Sequence, residues 1–217
     1  MVAMMYHSNM NNNIIKQAMN MAIKDMNKLA QGVAYSPADI EIAEQIKVMH
    51  ENKYYPNDPV AFKQLARFLA VRSNGRLRKG LLLIGNTGIG KTIFIKKFIK
   101  CELYPITDLV QLWKKSNGKE VIEIICPYWK KPICIDDIGT ESTKLNNFGT
   151  KVSIVSEIIS ARYSYLENLD VRDRRPTYIT TNLSLKEIEE RYGDRVCSRI
   201  RQMCSVLEIK GKDMRLL

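Results

Sequence analysis

Apolar residues recur at two different spacings along this chain, and the change from one to the other organises it. Ile15, Ala18, Met19, Ala22, Met26 and Leu29 stand at i, i+3, i+4, i+7, i+11 and i+14, the spacing of one helix face, and Gly32 closes the run. SPADIEIAEQIKVMHEN predicts a second helix. Ser36 is placed to cap it, Pro37 takes the first helical position, where its missing N–H costs nothing, and Asp39 can reach back to Ser36. YYPNDP interrupts the chain at Pro56 and Pro59, and AFKQLARFLAVRS resumes helical spacing with Phe62, Leu65, Ala66 and Leu69 on one side.

After NGRLRKG the period changes. GLLLIG is short and wholly apolar until its glycine, the pattern of a strand covered on both faces. KTIFIKKFIK predicts a helix, CELYPI a strand, and TDLVQLWKKS a helix capped by Thr107. KPICIDDIG predicts another buried strand, GTKVSIVSEIISARYSYLEN one long helix, and RPTYITTN a further strand. Buried strands alternating with helices predict an α/β domain with a mainly parallel sheet. RYGDRVCSRIRQM then predicts a two-faced helix, with Val196, Ile200, Met203 and Leu207 as the apolar stripe and Arg195 and Arg199 one turn apart elsewhere. Arg191 and Arg201 read as ordinary surface residues.

Composition narrows the class. The 217 residues, 45% of them hydrophobic and 26% charged, suffice for one sizeable core. No apolar run approaches the length of a membrane span, and MVAMMYHSNMNNN lacks the basic and apolar regions of a leader. A cytoplasmic protein with no membrane association is expected. Cys101, Cys126, Cys134, Cys197 and Cys204 never form CxxC, which favours free thiols over a disulfide frame or a zinc site. The net charge of +11 is concentrated: Pro59 to Cys101 holds ten basic residues and no acidic one. Such a field attracts polyanions, whether nucleotide or nucleic acid.

GNTGIGKT, Gly85 to Thr92, satisfies GxxxxGK[ST] between a strand and a helix. In that setting Gly85, Asn86, Thr87, Gly88, Ile89, Gly90, Lys91 and Thr92 form a candidate phosphate-binding loop, with Lys91 for the β and γ phosphates and the Thr92 hydroxyl for magnesium. Asp136 and Asp137 lie where an apolar strand meets its exit loop, at the sheet edge where ligands of open α/β folds bind. Asp136 suits a magnesium site and Asp137 the orienting or deprotonation of water. Thr181 and Asn182 end a third strand, and two roles are open to Asn182: holding attacking water near the γ phosphate, or capping the helix that starts near Leu185, for which Ser184 competes.

These motifs, followed by YGDRVCSRI and IKGKDMR, resemble the AAA+ ATPases of the DnaC/IstB type over about residues 78 to 215. The resemblance implies a P-loop NTPase sheet of strand order 5-1-4-3-2, ATP and Mg2+ as cofactors, homo-oligomers with shared ATP sites, and contacts with single-stranded DNA. It assigns Asn182 to sensor 1, Arg199 with Arg195 beside it to the arginine finger that reaches a neighbour's ATP, and Arg215 to sensor 2. Asp137 stands where the family often has glutamate, and the chain ends too soon after Arg215 for the ordinary C-terminal lid domain. TDLVQLWKKSNGKE falls where initiator-type relatives insert helical structure facing DNA, so Trp113, Lys114 and Lys115 are either DNA contacts or, for Trp113, core.

Residues 1–55 form a short N-terminal helical segment ahead of the ATPase domain at 56–217. Eight of the ten methionines lie in it, and flexible thioethers suit an adaptable surface. Residues 14 to 52 are therefore either the partner contact or packing for the chain's own domain. The expected function is ATP-dependent loading of a replicative helicase in a bacterial or phage-infected cell. The alternatives are a transposition helper that serves a transposase, a phosphotransferase, and a scaffold that never hydrolyses its nucleotide.

Overall fold

In the computed structural model, residues 36–54, 56, 58–73, 79–127, 131–141, 145–147, 150–211 and 213 are described. The amphipathic stretch 14–30 and Arg215 lie outside them. Contacts divide the chain into one unit of residues 1–77, 86–90 and 208–217 and another of 78–85 and 91–207.

Helices α1 (Pro37–Glu51) and α2 (Pro59–Ser73) pack on each other in the first unit. The α1 cap is the box expected from sequence: the Ser36 hydroxyl accepts from the Asp39 N–H, and the Asp39 carboxylate accepts from Ser36. Phe62, Leu65, Ala66 and Leu69 are buried, as their spacing predicts. Asp58 Oδ1 caps α2 through the N–H groups of Val60 and Ala61, while its Oδ2 accepts from the Lys210 N–H at 3.1 Å.

The second unit is built on a five-stranded sheet, β1 (Gly80–Ile84), β2 (Glu102–Pro105), β3 (Ile133–Ile138), β6 (Thr177–Thr181) and β7 (Cys204–Glu208), in the order β2-β3-β6-β1-β7. The neighbours β2·β3, β3·β6 and β6·β1 are parallel. Counted along these five strands alone, that is the predicted order 5-1-4-3-2. Every residue of β1 and β6 is buried, which is why these strands read as unbroken or threonine-rich runs without polar alternation. The helices are α3 (Lys91–Phe98), α4 (Ile106–Ser116), α5 (Lys119–Ile125), α6 (Ile154–Glu167), α7 (Leu185–Tyr192) and α8 (Asp194–Met203).

Three expectations need correction. Thr107 does not cap α4: it lies inside the helix, which begins at Ile106, after Pro105, with no side-chain cap. The long helix expected from Gly149 begins only at Ile154, capped by the Ser153 hydroxyl on the Ser156 N–H. Thr150 to Val152 instead form β5, antiparallel to β4 (Leu145–Asn147), consistent with β-branched residues at both ends of that short strand. Leu207 is buried but lies on β7, so the apolar stripe of α8 ends at Met203. Among the described residues, no helix is long and apolar enough to cross a membrane.

Candidate functional site

Parallel strands bring β1, β3 and β6 to one carboxyl edge, and the side chains that follow them meet there. Lys91, the first residue of α3 and almost fully buried, donates through Nζ to the Gly85 carbonyl and to Asn182 Oδ1, each at 2.7 Å. Beside it the Thr92 hydroxyl lies 2.9 and 3.2 Å from the two carboxylate oxygens of Asp136. Motifs separated by up to 91 residues of sequence thus converge. The two roles open to Asn182 are also separated: Ser184 caps α7, completing a box with Glu187, and Asn182 faces Lys91.

The loop between β1 and α3 is shaped by glycine. Gly88 and Gly90 have φ of 77° and 90°, a region that side chains disfavour. A Cβ on Gly88 would also fall 1.7 Å from Asp213 Oδ1, so a larger residue would have to displace that carboxylate. The Asn86 amide donates to the Gly211 carbonyl at 3.1 Å. Thr87 is exposed and Ile89 buried.

At the end of β3 the ladder slips. Ile135 pairs with Ile179, but Ile138 pairs with Thr181, so three steps of β3 oppose two of β6. This is a β-bulge, and it holds Asp137 at φ 62°, where few residues other than glycine, asparagine and aspartate sit. Hydroxyls of β6 meet the displaced backbone. The Asp137 N–H donates to Thr180 Oγ1 at 2.9 Å, and the Thr181 hydroxyl donates to the Ile138 carbonyl at 2.7 Å. The Thr180 hydroxyl in turn donates to Asp136 Oδ1 at 2.6 Å. Sequence reasoning missed Thr180; its signal was the adjacent threonine pair in YITTN.

Glu141 was missed as well. Its side chain, 3% exposed, accepts from the Gly139 N–H at 2.8 Å, from Tyr192 Oη at 2.5 Å and from Arg191 at 3.1 Å. Arg191 also donates to the Glu141 carbonyl. Burial, reinforced by the bond to Glu141, raises the Tyr192 phenol above its usual pKa. Arg191 is therefore not an ordinary surface arginine but half of a strut that fixes the exit loop of β3 to the end of α7. Arg201 is exposed.

Arg199 is not part of the Lys91 cluster. Its guanidinium donates to Ser160 Oγ and stacks 5.3 Å from the Tyr163 ring centre, both on α6. Arg195 is exposed, and with Arg199, Tyr163, Ser198 and Gln202 it lines an open depression. On α4, Trp113 is half-buried against the core and so close to Gly118 that a Cβ there would come within 2.9 Å of the indole. Lys114 and Lys115 are exposed.

No protein-family model matches the sequence, and no curated protein does either. Among solved structures, the crystal structure of the DnaC helicase loader matches with a TM-score of 0.53 and 24% identity, over 73% of this chain and 95% of that one. A DNA replication initiation factor matches with a TM-score of 0.48 and 16% identity, over 69% of this chain and 45% of that one. The sheet order, the meeting of the β1 and β6 ends at Lys91 beside the Thr92–Asp136 pair, and the likeness to the loader agree: the chain shares the α/β fold of the DnaC helicase loader.

Proposed function

We propose that this chain is an ATPase that loads a replicative DNA helicase, assembling in the ATP-bound form with sites shared between subunits and gripping single-stranded DNA. The observation that carries the ATPase reading is the bond of Lys91 to Asn182 beside the Thr92–Asp136 pair. A phosphate-loop lysine, a hydroxyl–carboxylate pair and a neutral amide at one sheet edge suit a nucleoside triphosphate and water. The helicase partner rests on likeness to the DnaC loader.

In this reading the loop Gly85 to Thr92 receives the phosphates, and Lys91 turns from the Gly85 carbonyl towards them. A hydroxyl and a carboxylate are hard oxygen donors, so Thr92 and Asp136 fit magnesium. Bound with the nucleotide, the ion neutralises phosphate charge. Asn182 and Asp137 orient water against the γ phosphorus. Attack forms a new P–O bond and breaks the bond to the β-phosphate bridging oxygen, leaving ADP and inorganic phosphate; the water proton passes to Asp137 and then to solvent. Arg199 of α8, its guanidinium resting against Ser160 and Tyr163 of α6, supplies charge to the site of a neighbouring subunit, with Arg195 beside it. Arg215 is proposed as a further nucleotide contact.

Mixing two inactive variants tests the shared site. Lys91→Ala and Arg199→Ala should each abolish phosphate release, and their mixture should regain part of it, because one supplies the finger and the other the phosphate loop. Activity per subunit independent of concentration, with no recovery in the mixture, would overturn shared sites. A phosphorylated acceptor would indicate a phosphotransferase, an absence of phosphate release a scaffold, and capture of a transposase instead of a helicase a transposition helper.

A further inference from the structure

We infer that Thr180 is a positioning residue of the nucleotide site, its hydroxyl setting at once the Asp136 carboxylate for the cation and the Asp137 backbone for the water. The inference rests on the ATPase reading above. It starts from the slipped ladder: between Ile135↔Ile179 and Ile138↔Thr181, both acids of β3 stand opposite Thr180 alone. The slip takes the Asp137 N–H out of the strand ladder, and a buried donor left without an acceptor is costly.

Thr180 is fully buried, so solvent cannot replace it. Its oxygen accepts from the Asp137 N–H at 2.9 Å, and its one proton goes to Asp136 Oδ1 at 2.6 Å. The direction of both bonds is fixed, because an N–H can only donate and a carboxylate can only accept. Backbone amide, hydroxyl and carboxylate thus form one polarised chain, in which each bond strengthens the next. Asp136 Oδ1 receives two hydroxyls, from Thr92 and Thr180. Thr92 is itself a proposed cation ligand, so Thr180 is the partner left to hold the carboxylate while Thr92 serves the cation. Outer residues that orient a metal ligand commonly change metal affinity or activity by 10- to 100-fold.

Valine has the shape of threonine without the hydroxyl, and serine keeps the hydroxyl. For Thr180→Val, the magnesium concentration that half-saturates binding of a fluorescent non-hydrolysable ATP analogue should rise about 10-fold or more. Binding of the same analogue in EDTA should be unchanged, and phosphate release should fall about 100-fold. Thr180→Ser should restore both to within about threefold of the parent protein, which a merely structural role would not require. If the valine variant does not fold, as judged by circular dichroism, Thr180→Ala carries the same expectations. A folded Thr180→Val or Thr180→Ala with unchanged magnesium dependence and turnover overturns the inference. Parent protein that neither binds the analogue with magnesium nor releases phosphate overturns the ATPase reading instead, and the inference falls with it.

Discussion

The ammonium of Lys91 donates to the side-chain carbonyl of Asn182 at 2.7 Å, while Ser184, two residues further on, caps the next helix. Two neighbouring polar residues that sequence leaves interchangeable therefore have separate duties, and substitution should separate them.

Ser184→Ala should lower stability by about 1 kcal/mol, the ordinary loss of a cap, and leave phosphate release within about twofold. Asn182→Ala should do the reverse. Its side chain accepts from Lys91, and Ser184 remains to cap α7, so the thermal midpoint should fall less than in Ser184→Ala, while turnover should fall about 100-fold, as for loss of one positioned polar group. Thermal melts and phosphate-release assays on the same two preparations check both, and matching losses of stability would return Asn182 to the cap.

The carboxylate of Glu141 depends on Arg191 for its countercharge. Arg191→Met should cost about 3 kcal/mol, because breaking a buried pair strands the remaining charge. Turnover should fall too, since Glu141 holds the Gly139 N–H two residues past Asp137. Glu141→Gln keeps an acceptor for that N–H and should cost less. Urea unfolding curves decide: an unchanged midpoint for Arg191→Met would show that the strut carries no stability.

Arg162 on α6 is wholly buried, donating to Thr177 Oγ1 and to the carbonyls of Ile125 and Arg175 at 2.9, 2.6 and 3.2 Å. Burial lowers its pKa to about 10, which leaves it charged at neutral pH. Arg162→Met fills much of the space but leaves three acceptors without a donor, and a loss of about 3 kcal/mol is expected. Denaturant titration measures it, and a variant as stable as the parent would show that the three acceptors find other donors.

Much of this was legible along the chain. The apolar runs of β1 and β3, the box at Ser36 and the spacing of α8 are local signals, each set within a few residues. Lys91, Thr92, Asp136 and Asn182 could be placed together because parallel strands end at a common edge. What escaped depends on pairing between distant segments. The slip of β3 exists only against β6, and the side chains that hold Glu141 lie 50 and 51 residues away. Arg162 has nothing around it in sequence to set it apart from an exposed arginine in a polar stripe. Thr107 and the start of α6 failed for a different reason: hydroxyl residues suit several positions near a helix start, and backbone pairing chose among them.

The thiols offer a test of burial independent of the nucleotide. Burial pushes Cys204 up to about 12 and Cys126 up to about 11, and raises Cys134 well above an ordinary thiol. Since the thiolate is the reactive form, burial keeps Cys204 in its unreactive thiol form at pH 8. Iodoacetamide at pH 8 should spare Cys126, Cys134 and Cys204 in the native protein and label all five cysteines in guanidinium. Peptide mass spectrometry reads the pattern, and rapid native labelling of Cys204 would contradict its place in the core.

The slip in β3 leaves the chain with a competing bias. With one residue fewer, the strand could pair evenly with β6, and the left-handed aspartate, which costs of order 1 kcal/mol, would disappear. Ile138 would keep Thr181 as its partner, and so its side of the sheet. Selection for folding alone would therefore favour losing this residue; in the proposed ATPase, selection for turnover would retain it. A lineage freed from the need to hydrolyse ATP should shed the irregularity early, before it loses the phosphate loop.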